Sequence, residues 1–196
     1  LKGISSLNIS LYQLYTTNTI ESVTVFQDNI SVSGPENLGV KRVNGVEING
    51  KITPSKKIAI NGDLNYNNFD RKASWQNQSY DFKGKSWTTE VTSKFKFPND
   101  FDLELSWNYQ SSLKTIDGEL SPIRFLNMGA RKKLLKSKGV ISLNIRDLFV
   151  SRVRENQVIR DNFNIIRRSL YGRFWVIGFS YGFGKGEAME FKGRRR

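Results

Sequence analysis

Phe101-Asp102-Leu103-Glu104-Leu105-Ser106-Trp107-Asn108-Tyr109-Gln110 alternates without a break between a large apolar side chain and a polar one. Successive side chains of an extended chain point to opposite sides, so this stretch has one wholly apolar face and one wholly polar face. The same period surrounds it. Trp87, Val91, Phe95 and Phe97 oppose Ser86, Glu90, Lys94 and Lys96; Ile58, Ile60, Leu64 and Tyr66 oppose Asn61, Asp63, Asn65 and Asn67. Ile141, Leu143 and Ile145 oppose Ser142, Asn144 and Arg146, and Trp175, Ile177, Phe179, Tyr181 and Phe183 mark a last strand. Weaker alternation near 4–16, 20–32, 40–53 and 122–135 brings the expectation to about nine strands, with no amphipathic helix.

The connections sort by length. Pro54-Ser55-Lys56, Pro98-Asn99-Asp100 and Lys136-Ser137-Lys138-Gly139 read as tight turns. Asp70 to Lys85, Ser111 to Pro122 and Asp147 to about Gly172 are long and polar. Short turns at one end and long loops at the other suit an outer-membrane barrel, whose short turns are periplasmic. Asn44-Gly45, Asn49-Gly50 and Asn61-Gly62 are hairpin dipeptides. Turning at the first two would leave only Val46-Glu47-Ile48 between them, so these glycines are expected inside strands.

Alternation alone does not say which face meets water. Three features favour lipid on the apolar side. Large aromatics, among them Tyr15, Tyr66, Phe69, Trp87, Trp107, Tyr109 and Trp175, fall near strand ends, where interfacial girdles lie. The opposite faces are dense in Asn, Ser, Thr and Gln. Arg173 to Phe183 has about the length of one barrel crossing, roughly 9–11 residues. Leu103, Leu105, Trp107 and Ile177 are thus expected to face lipid, and Asp63, Asn65, Glu90, Glu104 and Asn108 a lumen.

The 196 residues contain neither cysteine nor histidine, which removes disulfides, thiol nucleophiles, Ser-His relays and His or Cys metal sites. No nucleophile, base and orienting group can be assembled, so no catalytic residue, cofactor site or metal site is expected, and an enzyme is the least favoured class. The net charge of +13 is uneven. Residues 1–121 carry 13 basic and 13 acidic residues, whereas 122–196 carry 18 and 5. Arg152, Arg154, Arg160, Arg167 and Arg168 concentrate in the last long loop. They are candidates to contact lipopolysaccharide phosphates, an anionic substrate or a surface partner; the plain alternative is a solvated loop. Nucleic acid is not expected, because the aromatics alternate into an apolar face and do not interleave with the arginines.

The segment from Arg173 to Gly184 resembles the closing strand of TonB-dependent receptors, with Gly178, Phe179, Tyr181 and Phe183 in the place of the barrel-assembly signal. Pro35-Glu36-Asn37-Leu38-Gly39 followed by Val43 to Gly50 is similar to a strand pair in the later half of Bacteroidetes receptors. Gly139 to Phe149 resembles their penultimate strand with its Asn/Asp-Leu-Phe corner, and Gly184 to Arg196 an extension of one branch. The resemblance implies an all-β, antiparallel transmembrane barrel in the bacterial outer membrane, of which residues 1–184 are the C-terminal strands and 185–196 a periplasmic basic tail. The whole wall would have 22 strands. The implied partners are outer-membrane lipid and lipopolysaccharide, the remainder of the barrel with its plug, TonB and a surface lipoprotein. The implied function is uptake of a nutrient or metal chelate. A non-transporting scaffold barrel of a surface or secretion complex would use the same strands, and a soluble β-sandwich or lipid-binding barrel remains open from alternation alone.

Overall fold

The computed structural model describes residues 4–28, 30–76, 78–160 and 163–183, and every regular element among them is a strand. The expected tail 185–196 lies outside the described residues. In chain order the strands are β1 (Ile4–Thr17), β2 (Ile20–Gln27), β3 (Ile30–Asn37), β4 (Val40–Ser55), β5 (Ile58–Lys72), β6 (Ser74–Trp75), β7 (Gln78–Ser79) and β8 (Phe82–Phe97). They continue as β9 (Phe101–Gln110), β10 (Leu113–Lys114), β11 (Gly118–Leu120), β12 (Ile123–Leu134), β13 (Gly139–Arg146), β14 (Val153–Arg160), β15 (Phe163–Leu170) and β16 (Phe174–Tyr181).

Eight of them form one antiparallel sheet in the order β1-β4-β5-β8-β9-β12-β13-β16. Its three tight turns, β4–β5, β8–β9 and β12–β13, lie at one end. The four long connections lie at the other, and each contains strands of its own: β2–β3, β6–β7, β10–β11 and β14–β15. The stretch near 20–32, read from sequence as one more wall strand, is instead the hairpin β2–β3, so the described residues supply eight wall strands rather than about nine.

The glycines of the three Asn-Gly pairs lie within β4 and β5, as their spacing demanded. At Gly45 the reason is close approach: a Cβ there would lie 2.3 Å from the Tyr12 ring. Gly39, at φ +58, ends the first long connection against the backbone of Lys72.

Ladder partners share a face, which makes the two faces explicit. Leu105 stands opposite Ser93 and Met128, and Trp107 opposite Val91 and Leu126. Ile177 stands opposite Leu143. Leu11, Val46, Tyr66 and Trp87 form one apolar row across β1, β4, β5 and β8. The apolar stretch ends toward the long connections at Leu11 on β1 and at Trp175 on β16. Traced through the register, that limit stays on the Leu11 row from β1 to β8 and then moves by six residues (Val46 to Ile52 on β4) by β16. With about 3.3 Å per residue and 4.8 Å between strands, the strands incline by about 30° to the normal of the apolar band. That is close to the tilt of transmembrane barrels.

No second sheet covers the apolar face among the described residues. Leu7, Ile9, Leu11, Trp175, Ile177 and Phe179 are all more than half exposed. A sandwich would stack a second sheet about 10 Å away on that face, and the described residues place none there. The buried cluster of Val23, Leu38, Ala73 and Ile116, flanked by Tyr80 and Phe82, instead joins three of the long connections. Phe69 also leaves the expected girdle. It lies on the polar face, buried, with its ring over Gly84 and edge-on to Phe82.

Two glycines give a paired prediction. Gly39→Ala places a Cβ 1.8 Å from the Lys72 carbonyl oxygen at a left-handed φ, whereas Gly62→Ala meets nothing within 4 Å. Gly39→Ala should cost about 1–3 kcal/mol and Gly62→Ala close to nothing, read as the urea midpoint for loss of the heat-modifiable gel band.

Candidate functional site

The polar face is built from two adjacent rows. One runs Asn8, Asn49, Asp63, Glu90, Asn108, Phe125; the next runs Ser10, Glu47, Asn65, Thr88, Gln110, Ile123. Four of the five residues expected to face a lumen, Asp63, Asn65, Glu90 and Asn108, therefore meet in one place. They line a concavity of about 460 Å³ together with Glu47, Arg152 and Arg154. The fifth, Glu104, lies nearer the tight turns and pairs with Lys94 at 3.0 Å; both side chains are about half exposed, so water screens the pair. Asp102 and Arg131 form a second pair below it at 2.7 Å.

Within the concavity the side chains hold one another. Tyr12 Oη donates to Asn65 Oδ1 at 3.0 Å, and Ser106 Oγ donates to Glu90 Oε1 at 3.1 Å. Asn49 Nδ2 donates to Glu47 Oε1 at 3.3 Å. None of Glu47, Asp63 and Glu90 is ion-paired, and no group of three carboxylates is close enough to hold a metal ion, among the described residues. The floor is thus acidic and rich in amide and hydroxyl groups, while the rim toward the long connections is basic.

The rim comes from the last long connection, which folds over the polar face. Arg152 lies between two rings, with Cζ 4.7 Å from the centroid of Phe125 and 4.5 Å from that of Tyr171. Its Nε is buried without a hydrogen-bond partner among the described residues. Arg154 reaches Gln110 Oε1. The other expected arginines separate. Arg167 donates to Ser33 Oγ at 3.1 Å and to Ser31 Oγ at 3.0 Å, tying β15 to β3, with Phe26 and Phe163 in contact beside it. Arg168 faces Glu155 at 3.4 Å. Of Arg160 only the backbone is described. Sequence reading treated the five as one set. Neighbours along a strand point to opposite faces, so the hairpin sends Arg154 and Arg167 one way and Arg168 the other.

Asp147 fixes this arrangement. It is 1 % exposed and at φ +54. Its carboxylate accepts from Ser151 N at 2.8 Å, Arg152 N at 3.0 Å and Ser151 Oγ at 3.2 Å. Its own N–H donates to Asn127 Oδ1 at 3.0 Å. Elsewhere among the connections, Asp117 Oδ2 accepts from Thr24 N at 2.6 Å, and Arg71 pairs with Glu21. Burial, and then the neighbouring Arg71 guanidinium, hold Lys41 below its usual pKa, with Glu21 opposing.

Of the proposed assembly signal, Phe179 and Tyr181 lie on the apolar face opposite Ile141 and Gly139. Gly178 lies on the polar face opposite Ser142, and Phe183 follows the strand, edge-on to Tyr181 at 4.9 Å. Phe125, Tyr171 and Glu47 were not picked out from sequence, and Gln110 was placed on the polar face but not among the lumen residues. Strand parity could have found Glu47; Tyr171 depends on how the last connection folds back.

Residues 2–181 match the model of a family described as the outer membrane protein beta-barrel family. No curated protein and no solved structure matches the chain.

Asp147→Ala would leave two backbone donors and a hydroxyl without their acceptor in a buried corner. It should destabilise the last connection by about 2–4 kcal/mol and Asp147→Asn by less. Limited proteolysis between residues 147 and 173 in outer-membrane vesicles reads the difference as faster cleavage in the alanine variant.

Proposed function

The chain belongs to the outer membrane protein beta-barrel family, and on that premise we propose that it forms part of the wall of a TonB-dependent transporter importing a nutrient or metal chelate. Its place is the bacterial outer membrane, and the family points to a structural or transport protein rather than an enzyme. In this reading Leu103, Leu105, Trp107 and Ile177 meet lipid, and Asp63, Asn65, Glu90, Glu104 and Asn108 line the lumen. The long connections are extracellular and the tight turns periplasmic. Gly178, Phe179, Tyr181 and Phe183 serve as the assembly signal. The remainder of the wall, with a plug, closes the sheet, whose strands β1 and β16 each pair on one side only among the described residues.

The observation that carries the transport reading is the roofed concavity on the polar face. A scaffold barrel has no need to gather Glu47, Asp63 and Glu90 beneath Arg152 and Arg154. A receptor that captures a polar solute at the mouth of its lumen does. Arg152, Arg154, Arg167 and Arg168 then act on the extracellular side, Arg152 and Arg154 toward the solute. A surface lipoprotein would dock over the same connections.

The test is in-cell cross-linking of the full-length protein to the TonB protein of its own host, with and without a protonophore. Transport predicts a cross-link that depends on the proton-motive force, together with loss of that dependence when the plug is removed. An outer-membrane barrel that never cross-links to TonB would contradict transport and leave the scaffold.

A further inference from the structure

The apolar face carries a second feature just beyond its limit on the side of the long connections. Above the row Val46, Tyr66, Trp87 the same face continues as Asn44, Asn68, Lys85 and then Arg42, Asp70, Lys83. All of these but Arg42 line a groove of about 570 Å³ closed on one side by the β10–β11 hairpin, which adds Lys114 and Glu119. Arg42 stands beside it with its guanidinium 5.4 Å from the Tyr15 ring. The cations outnumber the acids. Lys83 reaches Asp70 only at 3.9 Å with its side chain 82 % exposed, and Arg42 and Lys85 have no ion-pair partner among the described residues.

The cations recur along the same margin. On β12, Arg124 immediately precedes the apolar Leu126, Met128 and Ala130 on their face. Before β16, Arg173 lies 5.9 Å over the Trp175 ring. Alternate wall strands, about 10 Å apart, thus carry an exposed cation above apolar surface, directly so on β8, β12 and β16 and one outward residue further up on β4. At the tight-turn end, Lys132 is the one cation the ladder places on that face among the described residues.

We propose that the groove of Asn44, Asn68, Lys83, Lys85 and Lys114, with Arg42, binds the headgroup of a phosphorylated glycolipid of the outer leaflet. The inference rests on the wall reading above, in which this face meets lipid and the long connections are outside. A soluble anion would use the cations but not the apolar row beneath them. An amphiphile uses both, with acyl chains along Val46, Tyr66 and Trp87. The lysines and Arg42 take phosphate oxygens, by charge-assisted hydrogen bonds. The amide oxygens of Asn44 and Asn68 already accept from Gln13 Nε2 at 3.0 Å and Tyr66 Oη at 3.1 Å, which leaves their NH2 groups and a second lone pair on each oxygen for sugar hydroxyls and selects a glycolipid over a simple phospholipid.

Native mass spectrometry of the full-length protein, extracted from outer membranes in mild detergent, tests this. The wild type should retain a phosphorylated glycolipid. Arg42→Gln/Lys83→Gln/Lys85→Gln should lower its occupancy at least fivefold, and Lys132→Gln should leave it unchanged. In reconstitution, enzymatically dephosphorylated glycolipid should bind at least fivefold more weakly. Unchanged occupancy in the triple variant, or displacement by phosphatidylglycerol at equal concentration, would overturn the proposal. Should the triple variant fail to assemble, Lys85→Gln alone must lower occupancy measurably. Quenching by brominated acyl chains, taken as the difference between wild type and Trp107→Phe, reports separately on the wall. Its loss would defeat the wall reading itself, whereas normal quenching with unaltered occupancy would defeat only the groove.

Discussion

A backbone that crosses hydrocarbon finds no water for its N–H and C=O groups, so each must be bonded within the protein. The ladder β1-β4-β5-β8-β9-β12-β13-β16 meets that demand between neighbours, strand by strand. What it leaves outward on one side is almost wholly apolar across the band, and what it leaves on the other is mostly hydroxyl, amide and charge, only part of it ion-paired. The oblique course of the apolar limit follows from the same ladder. Strands that tilt must begin their apolar stretch at different residues if the band is to stay level, and from β8 to β16 the register shows that they do.

That constraint stops at the margin of the band, and the chain's habits change there. β5 shows the change within one strand. Through Tyr66 its outward residues are apolar and its inward ones Asn and Asp; beyond it Asn68 and Asp70 face outward, and Phe69 and Arg71 turn inward and are buried. Past the margin the connections pack on one another through Val23, Leu38, Ala73 and Ile116, and are pinned by buried acids such as Asp117 and Asp147. The connections therefore form a cap with a small core of its own. It holds Arg152 and Arg154 over the acidic floor of Glu47, Asp63 and Glu90.

This division explains what could be read in the residues. The wall was legible because a period of two is imposed on every strand, and Phe101 to Gln110 states it without exception. The turn positions and the interior placing of Asn44-Gly45, Asn49-Gly50 and Asn61-Gly62 followed from the length a crossing needs. Residues 20–32 misled because a hairpin outside the band can alternate just as a wall strand does. The meeting of Asp63, Asn65, Glu90 and Asn108 is a consequence of register, which alternation within one strand does not fix. The stacking of Arg152 between Phe125 and Tyr171 depends on the fold of a long connection, for which no period exists.

The most direct measurement is a cysteine scan of residues 101–110 of the full-length protein in intact outer-membrane vesicles, probed with a membrane-impermeant thiol reagent. The chain itself contributes no cysteine. Labelling should alternate, with positions 102, 104, 106, 108 and 110 reacting through the water of the lumen and 103, 105 and 107 protected by lipid. Equal labelling of both sets, or protection of the even positions and reaction of the odd ones, would contradict the placing of the two faces.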